Sequence, residues 1–416
     1  MPSVLITGAG SGIGRDTARL FARQGWRCVL VDHNGPALAA VLADLPVPTA
    51  GPHLARTTDL TDPEQVAALG QGLPALDAVI NNAGMSDTSN TPLADQTPQQ
   101  LARLLALNLA APAAVVTACT PALRPGARVV NVSSGAGLHA IPWRGAYSPS
   151  KAGLIAQTQA LAQAQPNWCP TVLAPGFVRT DLVDSLIQAG RLNPQNAVAK
   201  IPLGRMAAPA EMAHALWFLA SAGAAPLRGQ VLAVNGGSSV YGGSQPLPPC
   251  PLAPLPWDTP MAWSVVGGDP APWLGVAPAP APAAAYPAVL DLSACLAPPG
   301  GLLAAVHAAA ARFAAQHTQQ ASLTLLWPAA APETGPWQAA GDRAAARMLV
   351  STLACEWGAR ALRINALEWP AGAPVGAPVA ATAQLHPLMR YVAGAAAQYL
   401  TGQTLVCQTP AKGEAA

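Results

Sequence analysis

The chain has 416 residues, of which 51% are hydrophobic and 10% are charged, and its formal net charge is +2. At roughly 150 residues per domain this length predicts two domains, and the apolar composition excludes a largely disordered chain. A net charge this small provides no positive electrostatic field over the surface, and nucleic acid is therefore not an expected partner. Seven scattered cysteines without a Cys-x-x-Cys pair predict neither a disulfide framework nor a metal site, and they favour a cytoplasmic protein.

The first 243 residues alternate short apolar runs with helical patterns. Strands are predicted at 4–6, 28–31, 78–80, 127–132, 171–173 and 231–234, with a helix from Arg15 to Gln24 after the first. Uninterrupted apolar strands between helices indicate an α/β domain with a doubly wound parallel sheet, covered on both faces. The apolar stretch 104–123 is not predicted to span a membrane, because Asn108, Pro112 and Pro121 interrupt it.

The chain then changes character. Residues 244–288 are rich in proline, alanine and glycine, which predicts an extended linker with one possible strand at 263–266. A second alternating segment follows, with strands predicted at 289–290, 323–326 and 362–366 and helices at 301–316 and 341–358. The predicted domains are therefore 1–243, a linker over 244–288, and a smaller α/β domain over 289–416.

A glycine-rich turn joins the first strand to its helix. The residues that shape it are Gly8, Ser11, Gly12, Ile13 and Gly14. Such glycines let backbone N–H groups approach a pyrophosphate at the helix N-terminus. Asp32 ends the second strand, where an acidic residue accepts hydrogen bonds from the adenosine ribose and repels a 2′-phosphate. The pattern predicts a dinucleotide site that prefers NAD to NADP. Asp59, after the third strand, either caps the adenine pocket or begins a turn.

Four further residues predict a site for hydride transfer. Tyr147 and Lys151 are spaced i, i+4, so they lie on one face of a helix, one turn apart. A neighbouring ammonium lowers the phenol pKa from about 10, and Tyr147 then exchanges a proton with a hydroxyl or carbonyl near neutral pH. Ser134 ends a strand and is placed to hydrogen-bond the same oxygen. Asn108 interrupts an apolar helix, and an ordered water leading to Lys151 would satisfy its buried amide. Taken singly, each residue is equally typical of ordinary packing.

In order and spacing, these motifs resemble those of the short-chain dehydrogenase/reductase family over residues 1–243. Further matches lie at 81–84, 175–180, 201–205 and 235–237. The resemblance implies a Rossmann fold and a catalytic tetrad of Asn108, Ser134, Tyr147 and Lys151, in which Lys151 also binds the nicotinamide ribose. The cofactor contacts that it implies beyond the glycine-rich turn are Asp32, Asp59, Leu60, Asn82, Ala83, Gly84, Tyr147, Lys151, Pro175, Gly176, Val178 and Thr180. One departure is that residues 165–170 lack the usual acidic residue and Arg-Val-Asn motif, which leaves the docking of the preceding helix end open.

The second half resembles a truncated, degenerate copy of the same family. Segments 351–357, 362–366 and 397–405 resemble stretches of the family pattern, and the alternative is a coincidental alanine-rich tail. The family spacing puts Ala339 where tyrosine would stand, Arg343 where lysine would and Leu326 where serine would, which predicts a Rossmann-like module without catalysis. Apolar residues at 344/345, 348/349 and 352/353 form a helical stripe. We hypothesise that this module docks on the first as an internal partner, in an intramolecular pseudo-dimer that oligomerises further.

Together these features predict an NAD-dependent oxidoreductase that interconverts a secondary alcohol and a ketone, with Tyr147 as general acid/base. The expected partner is a small molecule, with neither nucleic acid nor membrane. Two alternatives stay open: an NADP-linked 3-oxoacyl-type ketoreductase, and a non-catalytic regulatory protein that binds the cofactor. The expected lid is 181–201, where Arg191 and Lys200 fit an anionic substrate and surface solvation equally well. His139, Trp143 and Arg144 are expected near the mouth of the site.

Overall fold

The computed structural model describes residues 2–46, 51–87, 89, 91, 93–141, 143–190, 192–243, 245–268, 285–329, 338–369 and 385–408. The chain forms two compact units. Unit 1 comprises Met1–Gln188, Ala208–Ala222 and Arg228–Ala233, and unit 2 comprises Ala189–Ala207, Gly223–Leu227 and Val234–Ala416. Both predicted domain boundaries, at 243 and 288, fall within unit 2. The predicted domains and the compact units are therefore different divisions of the chain, and Arg191 of the expected lid lies outside the described residues.

Unit 1 is built on a seven-stranded parallel sheet in the order β3-β2-β1-β4-β5-β6-β7. Its strands are β1 Ser3–Thr7, β2 Arg27–Asp32, β3 Leu54–Thr57, β4 Leu76–Asn81, β5 Leu123–Val132, β6 Cys169–Leu173 and β7 Val231–Leu232. The strand order reverses between β1 and β4, and sheets of this kind bind ligands beyond the carboxyl ends of the strands at that point. The predicted doubly wound parallel sheet is confirmed.

Helices flank this sheet. They are α1 Gly12–Arg23, α2 Gly35–Asp44, α3 Pro63–Leu69, α4 Pro98–Leu105, α5 Ala111–Cys119, α6 Tyr147–Ala164, α7 Asp181–Gln188 and, after α8 Pro194–Val198 of unit 2, α9 Pro209–Leu219. Among the described helices one stretch, Pro98–Ala122, is long and apolar enough to cross a membrane by length and composition. Its residues Ala111, Val115 and Cys119 belong to a core cluster with Leu5.

An arginine from a distant segment caps the C-terminal end of α6. The Arg228 side chain donates from Nε to the Trp168 carbonyl at 2.9 Å and from Nη2 to the carbonyls of Ala162 and Gln165. A cation at this end also interacts favourably with the partial negative charge of the helix terminus. The helix end whose docking the sequence left open is therefore held by Arg228.

We expect the Arg228→Met variant to lose about 2 kcal/mol of unfolding free energy, because hydrogen bonds from a charged group contribute roughly 1.5–3 kcal/mol. Arg124→Met is the matched control, since Arg124 makes an exposed ion pair with Asp77 at 2.9 Å and such pairs contribute at most about 1 kcal/mol. Chemical denaturation of both variants measures the difference. Equal losses in the two variants would contradict a capping role for Arg228.

Unit 2 contains a second parallel sheet, in the order β12-β11-β10-β9-β8. Its strands are β8 Met261–Val266, β9 Tyr286–Asp291, β10 Ala321–Pro328, β11 Leu362–Trp369 and β12 Thr404–Val406. This is the order of the first sheet with β2 and β3 removed, as expected for a truncated Rossmann-like module. The possible strand at 263–266 is present as β8, so the second sheet begins inside the predicted linker.

The helices of the second sheet are α10 Leu302–Gln316, α11 Gln338–Trp357 and α12 His386–Ala393. Helix α11 buries Ala346, Val350 and Ala354 in a core cluster with α10, whereas Met348 of the predicted stripe is 64% exposed. Leu349 and Leu353 of the stripe pack against the same cluster, so part of the predicted stripe contacts the core of its own module. The core-facing side of α11 is centred on 346, 350 and 354, and docking through the stripe stays a prediction.

Segments from the first 243 residues pack inside unit 2. The Gly236 N–H donates to the Tyr399 carbonyl at 2.9 Å, and the Tyr399 phenol donates to the Arg205 carbonyl at 2.9 Å. The Arg205 guanidinium also lies 4.9 Å from the centre of the Tyr399 ring. Gly358, which follows α11, lies so close to Pro202 that a Cβ there would overlap its backbone. Unit 2 is therefore assembled from both halves of the sequence.

Candidate active site

Three of the four predicted catalytic residues meet at the carboxyl end of β5. Ser134 lies two residues beyond this strand, and its side chain hydrogen-bonds the phenol of Tyr147, the first residue of α6. One helical turn later, Lys151 is buried and its Nζ donates to the Val132 carbonyl at 2.9 Å. The i, i+4 spacing thus brings a phenol and an amine to one face, beside a hydroxyl that can share a substrate oxygen.

The electrostatics of this group differ from the sequence expectation. Burial raises the pKa of Tyr147, and this outweighs the lowering by the Ser134 hydrogen bond and by the Arg144 guanidinium. Burial also lowers the pKa of Lys151 to about 8. The Lys151 Nζ lies 5.9 Å from the Tyr147 ring centre. The cation that lowers the phenol pKa is therefore Arg144, and the predicted net lowering by Lys151 is not found.

Asn108 lies in a π-helical turn, Ala106–Ala110, between α4 and α5. Its side chain is fully buried, accepts from the Met85 N–H at 2.9 Å, and donates to the Met85 carbonyl at 2.8 Å and to Ser150 Oγ at 3.1 Å. The amide therefore connects the segment after β4 to α6. These groups satisfy both N–H bonds of the amide and one lone pair of its oxygen, and an ordered water leading to Lys151 stays a prediction. The Asn108 oxygen and Lys151 Nζ each lie 3.2 Å from where a Gly84 Cβ would be.

The glycine-rich turn has the backbone that a dinucleotide cradle requires. Gly8 and Gly12 have φ angles of +66° and +50°, which lie in the left-handed region that favours glycine. A Cβ on Gly8 would lie 2.9 Å from the Ala83 Cα, and one on Gly12 would lie 3.3 Å from the Thr180 methyl group. The turn therefore lies directly against the segments after β4 and β6. This open backbone at the start of α1 fits a pyrophosphate.

Asp32 closes the turn from the second strand. Its Oδ2 accepts from the Gly10 N–H at 2.9 Å and its Oδ1 accepts from the Asn34 N–H at 2.9 Å. The side chain is buried, and each carboxylate oxygen retains a further lone pair. Ser11 is exposed and begins α1 without a side-chain cap. A buried carboxylate beside an uncharged turn fits ribose hydroxyls better than a phosphate.

The remaining predicted cofactor residues divide into two groups. Those that support the frame around the turn are Ile13, half-buried in α1, Gly14, packed on the Gly8 carbonyl, and Asn82, which donates to the carbonyls of Thr7 and Gly8. Those after β6 are Pro175, whose carbonyl accepts from the Gly135 N–H at 2.8 Å, half-buried Gly176, and buried Val178.

Asp59 and Leu60 belong to neither group. Asp59 is exposed and accepts from both the N–H and hydroxyl of Thr61, and Leu60 packs in a core cluster. These hydrogen bonds favour the interpretation in which Asp59 begins a turn.

Comparison with known proteins identifies the family. A family model described as Enoyl-(Acyl carrier protein) reductase matches residues 8–239, more than half of the chain. An uncharacterized short-chain type dehydrogenase/reductase, y4vI of Sinorhizobium fredii, is 38% identical over 240 residues. The chain belongs to the short-chain dehydrogenase/reductase family. The aligned region spans 56% of this chain and only 43% of y4vI.

Other family members match the same half of the chain. The 3-oxoacyl-[acyl-carrier-protein] reductase FabG of Chlamydia trachomatis is 32% identical over 247 residues, which cover 56% of this chain and 96% of that protein. The crystal structure of levodione reductase superposes with a TM-score of 0.53 at 27% identity, over 57% of this chain and 97% of that one. The protein is therefore an oxidoreductase of a family that uses NAD(P) and acts on CH–OH groups of small molecules.

Sequence reasoning missed two features of this dehydrogenase/reductase site. The Thr7 hydroxyl accepts from the N–H groups of Asn82 and Ala83 at 3.0 Å each, which joins the glycine-rich turn to the segment after β4. The second is the electrostatic contact of Arg144 with Tyr147. Thr7 has a sequence signal, because it directly precedes the turn, whereas the contact of Arg144 depends on the path of an irregular loop.

Proposed function

We propose that this protein interconverts a secondary alcohol and a ketone with NAD, using Asn108, Ser134, Tyr147 and Lys151. A nicotinamide dinucleotide, when bound, accepts or supplies the hydride. Tyr147 exchanges the proton with the substrate oxygen, and Ser134 orients that oxygen. Lys151 holds the nicotinamide ribose, and Asn108 fixes the position of α6 through Ser150. The observation that carries the proposal is the Ser134–Tyr147 hydrogen bond at the carboxyl edge of the sheet.

The experiment is an NADH absorbance assay of the purified full-length chain with a panel of secondary alcohols and the corresponding ketones. Turnover of any pair, lost in Tyr147→Phe, supports the proposal. Tight NAD binding with no turnover across the panel would instead favour a non-catalytic regulatory protein. Asn108 and Lys151 are buried, and Ser134 and Tyr147 are half-buried. This arrangement supports catalysis, because a non-catalytic site does not require a phenol beside a buried amine.

We propose NAD rather than NADP because Asp32 is buried beside the turn and its charge opposes a 2′-phosphate. Asp32→Asn keeps an oxygen that accepts from Gly10 but removes the charge. The ratio of kcat/KM with NADP to that with NAD should rise by at least about tenfold, on the order of one charge interaction of ~1.4 kcal/mol. Asp44→Asn, which alters an exposed carboxylate paired with Arg19, is the control. A variant ratio equal to that of the wild type would count against NAD selection by Asp32.

The FabG relatives favour the second candidate, an NADP-linked reductase of 3-oxoacyl thioesters. A titration of the wild-type chain with NADPH and NADH in the presence of a 3-oxoacyl thioester separates the two candidates. Preference for NADPH with thioester turnover would replace the first proposal with the second.

We also propose that the second module is non-catalytic. The Arg343 guanidinium donates to the carbonyl of Pro328, the last residue of β10, just as Lys151 does to the end of β5, which supports aligning Arg343 with Lys151. Glu368 is buried nearby, where it accepts from Arg347 at 2.7 and 2.5 Å and from Trp327 Nε1 at 2.9 Å. An ion cluster thus fills the position of an active site. The predicted match of Leu326 to Ser134 is wrong, because Leu326 lies inside β10 and Ser134 lies beyond β5.

The contacts of Tyr399 and Gly358 within unit 2 support a second role for this module. We propose that it acts as an internal partner that completes the folding of the 189–207 and 234–243 segments. The docking surface is then the region before β12 and after α11. We also propose further homo-oligomerisation and a cytoplasmic location. The seven free cysteines support a reducing compartment.

A further inference from the structure

Two left-handed residues flank Arg144 in the loop before Tyr147. Trp143 has a φ angle of +62° and Gly145 one of +53°. The left-handed region is a genuine outlier for a bulky side chain, and such residues persist only where the surroundings impose them, often at functional sites. Trp143 is nevertheless 58% exposed, so packing of its own side chain is not what imposes this conformation.

The segment after β4 lies against this loop. A Cβ on Gly145 would lie 2.6 Å from both Asp87 Oδ2 and Gln96 Nε2, and these two side chains hydrogen-bond each other. The other Asp87 oxygen accepts from the Ser89 N–H at 2.7 Å. The Gly145 backbone therefore lies directly against this hydrogen-bonded pair, next to Arg144 in the chain.

The Arg144 guanidinium lies within electrostatic range of two groups. Burial raises the pKa of Asp87, but hydrogen bonds from Ser89 and Gln96 and the charge of Arg144 lower it further than burial raises it. The same charge acts on the Tyr147 phenol, against the larger effect of burial. The Arg144 carbonyl also accepts from the Tyr147 N–H at 3.1 Å, so this cation belongs to the turn that leads directly into the proposed acid/base.

Apolar side chains in the same loop are exposed. Leu138 is 36%, Ile141 42% and Trp143 58% exposed. The loop that precedes the proposed acid/base therefore carries both apolar surface and the guanidinium of Arg144. That combination is complementary to a molecule with a carboxylate and an apolar body, because arginine binds carboxylates through charge-assisted, often bidentate hydrogen bonds.

We infer that the substrate is an apolar hydroxy acid or oxo acid, whose carboxylate binds Arg144 and whose apolar body packs on Trp143. This inference rests on the proposed function. In oxidation the carbinol carbon transfers a hydride to the nicotinamide ring and its hydroxyl proton passes to the deprotonated oxygen of Tyr147. A ketone forms and the carboxylate is unchanged. A thioester carries no charge at the position of the carboxylate, so Arg144 would favour a free acid over a thioester.

A ligand-binding experiment tests the inferred carboxylate site independently of turnover. Calorimetry with the full-length chain and saturating NAD compares octanoate with octanamide, two unreactive probes that differ in charge. Octanoate should bind at least about tenfold more tightly, on the order of a hydrogen bond to a charged group, and Arg144→Gln should remove that preference. Asp87→Asn is the control, because it removes the competing carboxylate and keeps an acceptor oxygen for the Ser89 N–H, while the Gln96 amide can rotate so that its oxygen accepts from the new NH2 group. It should preserve or increase the preference.

The outcomes separate this inference from the proposed function. Equal affinity of the wild type for octanoate and octanamide would overturn it, even if the protein oxidises neutral alcohols. The same loss of preference in Arg144→Gln and Asp87→Asn would also overturn it, because Arg144 would then act only by holding the loop through Asp87. Tight, Arg144-dependent octanoate binding in a protein that oxidises neither 3-hydroxyoctanoate nor its methyl ester would uphold the acid site and defeat the proposed oxidoreductase chemistry.

Discussion

Replacing Tyr147 by Phe should lower kcat by about 10²–10⁴-fold, the usual contribution of a positioned general acid/base. The ring remains and only the hydroxyl is lost, together with its hydrogen bond to Ser134. The fold should be preserved, because the backbone of α6 and the Lys151 contact with Val132 do not involve that oxygen. NAD should still bind, since the glycine-rich turn and Asp32 are unchanged.

Steady-state kinetics with the best substrate of the panel, together with calorimetric NAD binding, measure both parts of this prediction. Tyr241→Phe is the matched control, because the Tyr241 phenol hydrogen-bonds the Gln245 carbonyl four residues later and Tyr241 is not one of the proposed tetrad. Its kcat should equal that of the wild type. Turnover by Tyr147→Phe within a few fold of wild type would remove Tyr147 from the chemistry and, with it, the assignment of the tetrad.

Local patterns were sufficient to predict most of the fold. The runs at 4–6, 28–31 and 78–80 are buried on both faces of the sheet, so their sequences are apolar throughout and identify themselves as parallel strands. In the same way 301–316 and 341–358 coincide with α10 and α11 within a few residues. Such elements depend on their own side chains, and a single sequence is enough to find them.

Features that depend on distant partners could not be predicted in this way. Arg228 caps a helix more than 60 residues earlier in the chain, and no local signal marks it. The Met85 backbone that hydrogen-bonds the Asn108 amide belongs to an irregular segment. The sequence could not place that segment, and a water was therefore the expected partner. The pKa of Tyr147 depends on a balance between burial and charges, and burial becomes known only once the fold is known.

The division of the chain also depends on distant contacts. Composition places the boundary near 243, where proline and glycine become frequent. Packing places 234–243 with the second sheet instead, because Gly236 and Tyr399 share a backbone hydrogen bond and the Tyr399 ring covers Gly236. A glycine with a φ angle of +66° allows that close approach. The glycines that allow this approach are visible in the sequence as Asn235-Gly236-Gly237. The sequence does not show that their packing partner is Tyr399.

A chain that ends at residue 249 should therefore fail to give a stable, monodisperse protein. Truncation would remove Tyr399 and the segment around Gly358, and would expose apolar side chains such as Ile201, Leu203 and Leu227, which are at most 3% exposed in the full chain. Each buried aliphatic side chain returned to water costs roughly 1.5–3 kcal/mol. Three of them amount to about 4.5–9 kcal/mol, which is comparable with a typical unfolding free energy of about 5–15 kcal/mol. Size-exclusion chromatography and calorimetric melting should show aggregation or loss of the cooperative transition.

A point variant tests the same surface without removing a module. Tyr399→Ala should lower the unfolding free energy of the full-length chain by about 3–5 kcal/mol, as for other buried aromatic side chains, because it loses the Arg205 hydrogen bond and the packing on Gly236. Met348→Ala, at the 64% exposed position of α11, should change it by less than about 0.5 kcal/mol. If the truncated chain melted and turned over like the full one, the second module would not be an internal partner. Its ion cluster around Glu368 would then stabilise an independent domain with another role.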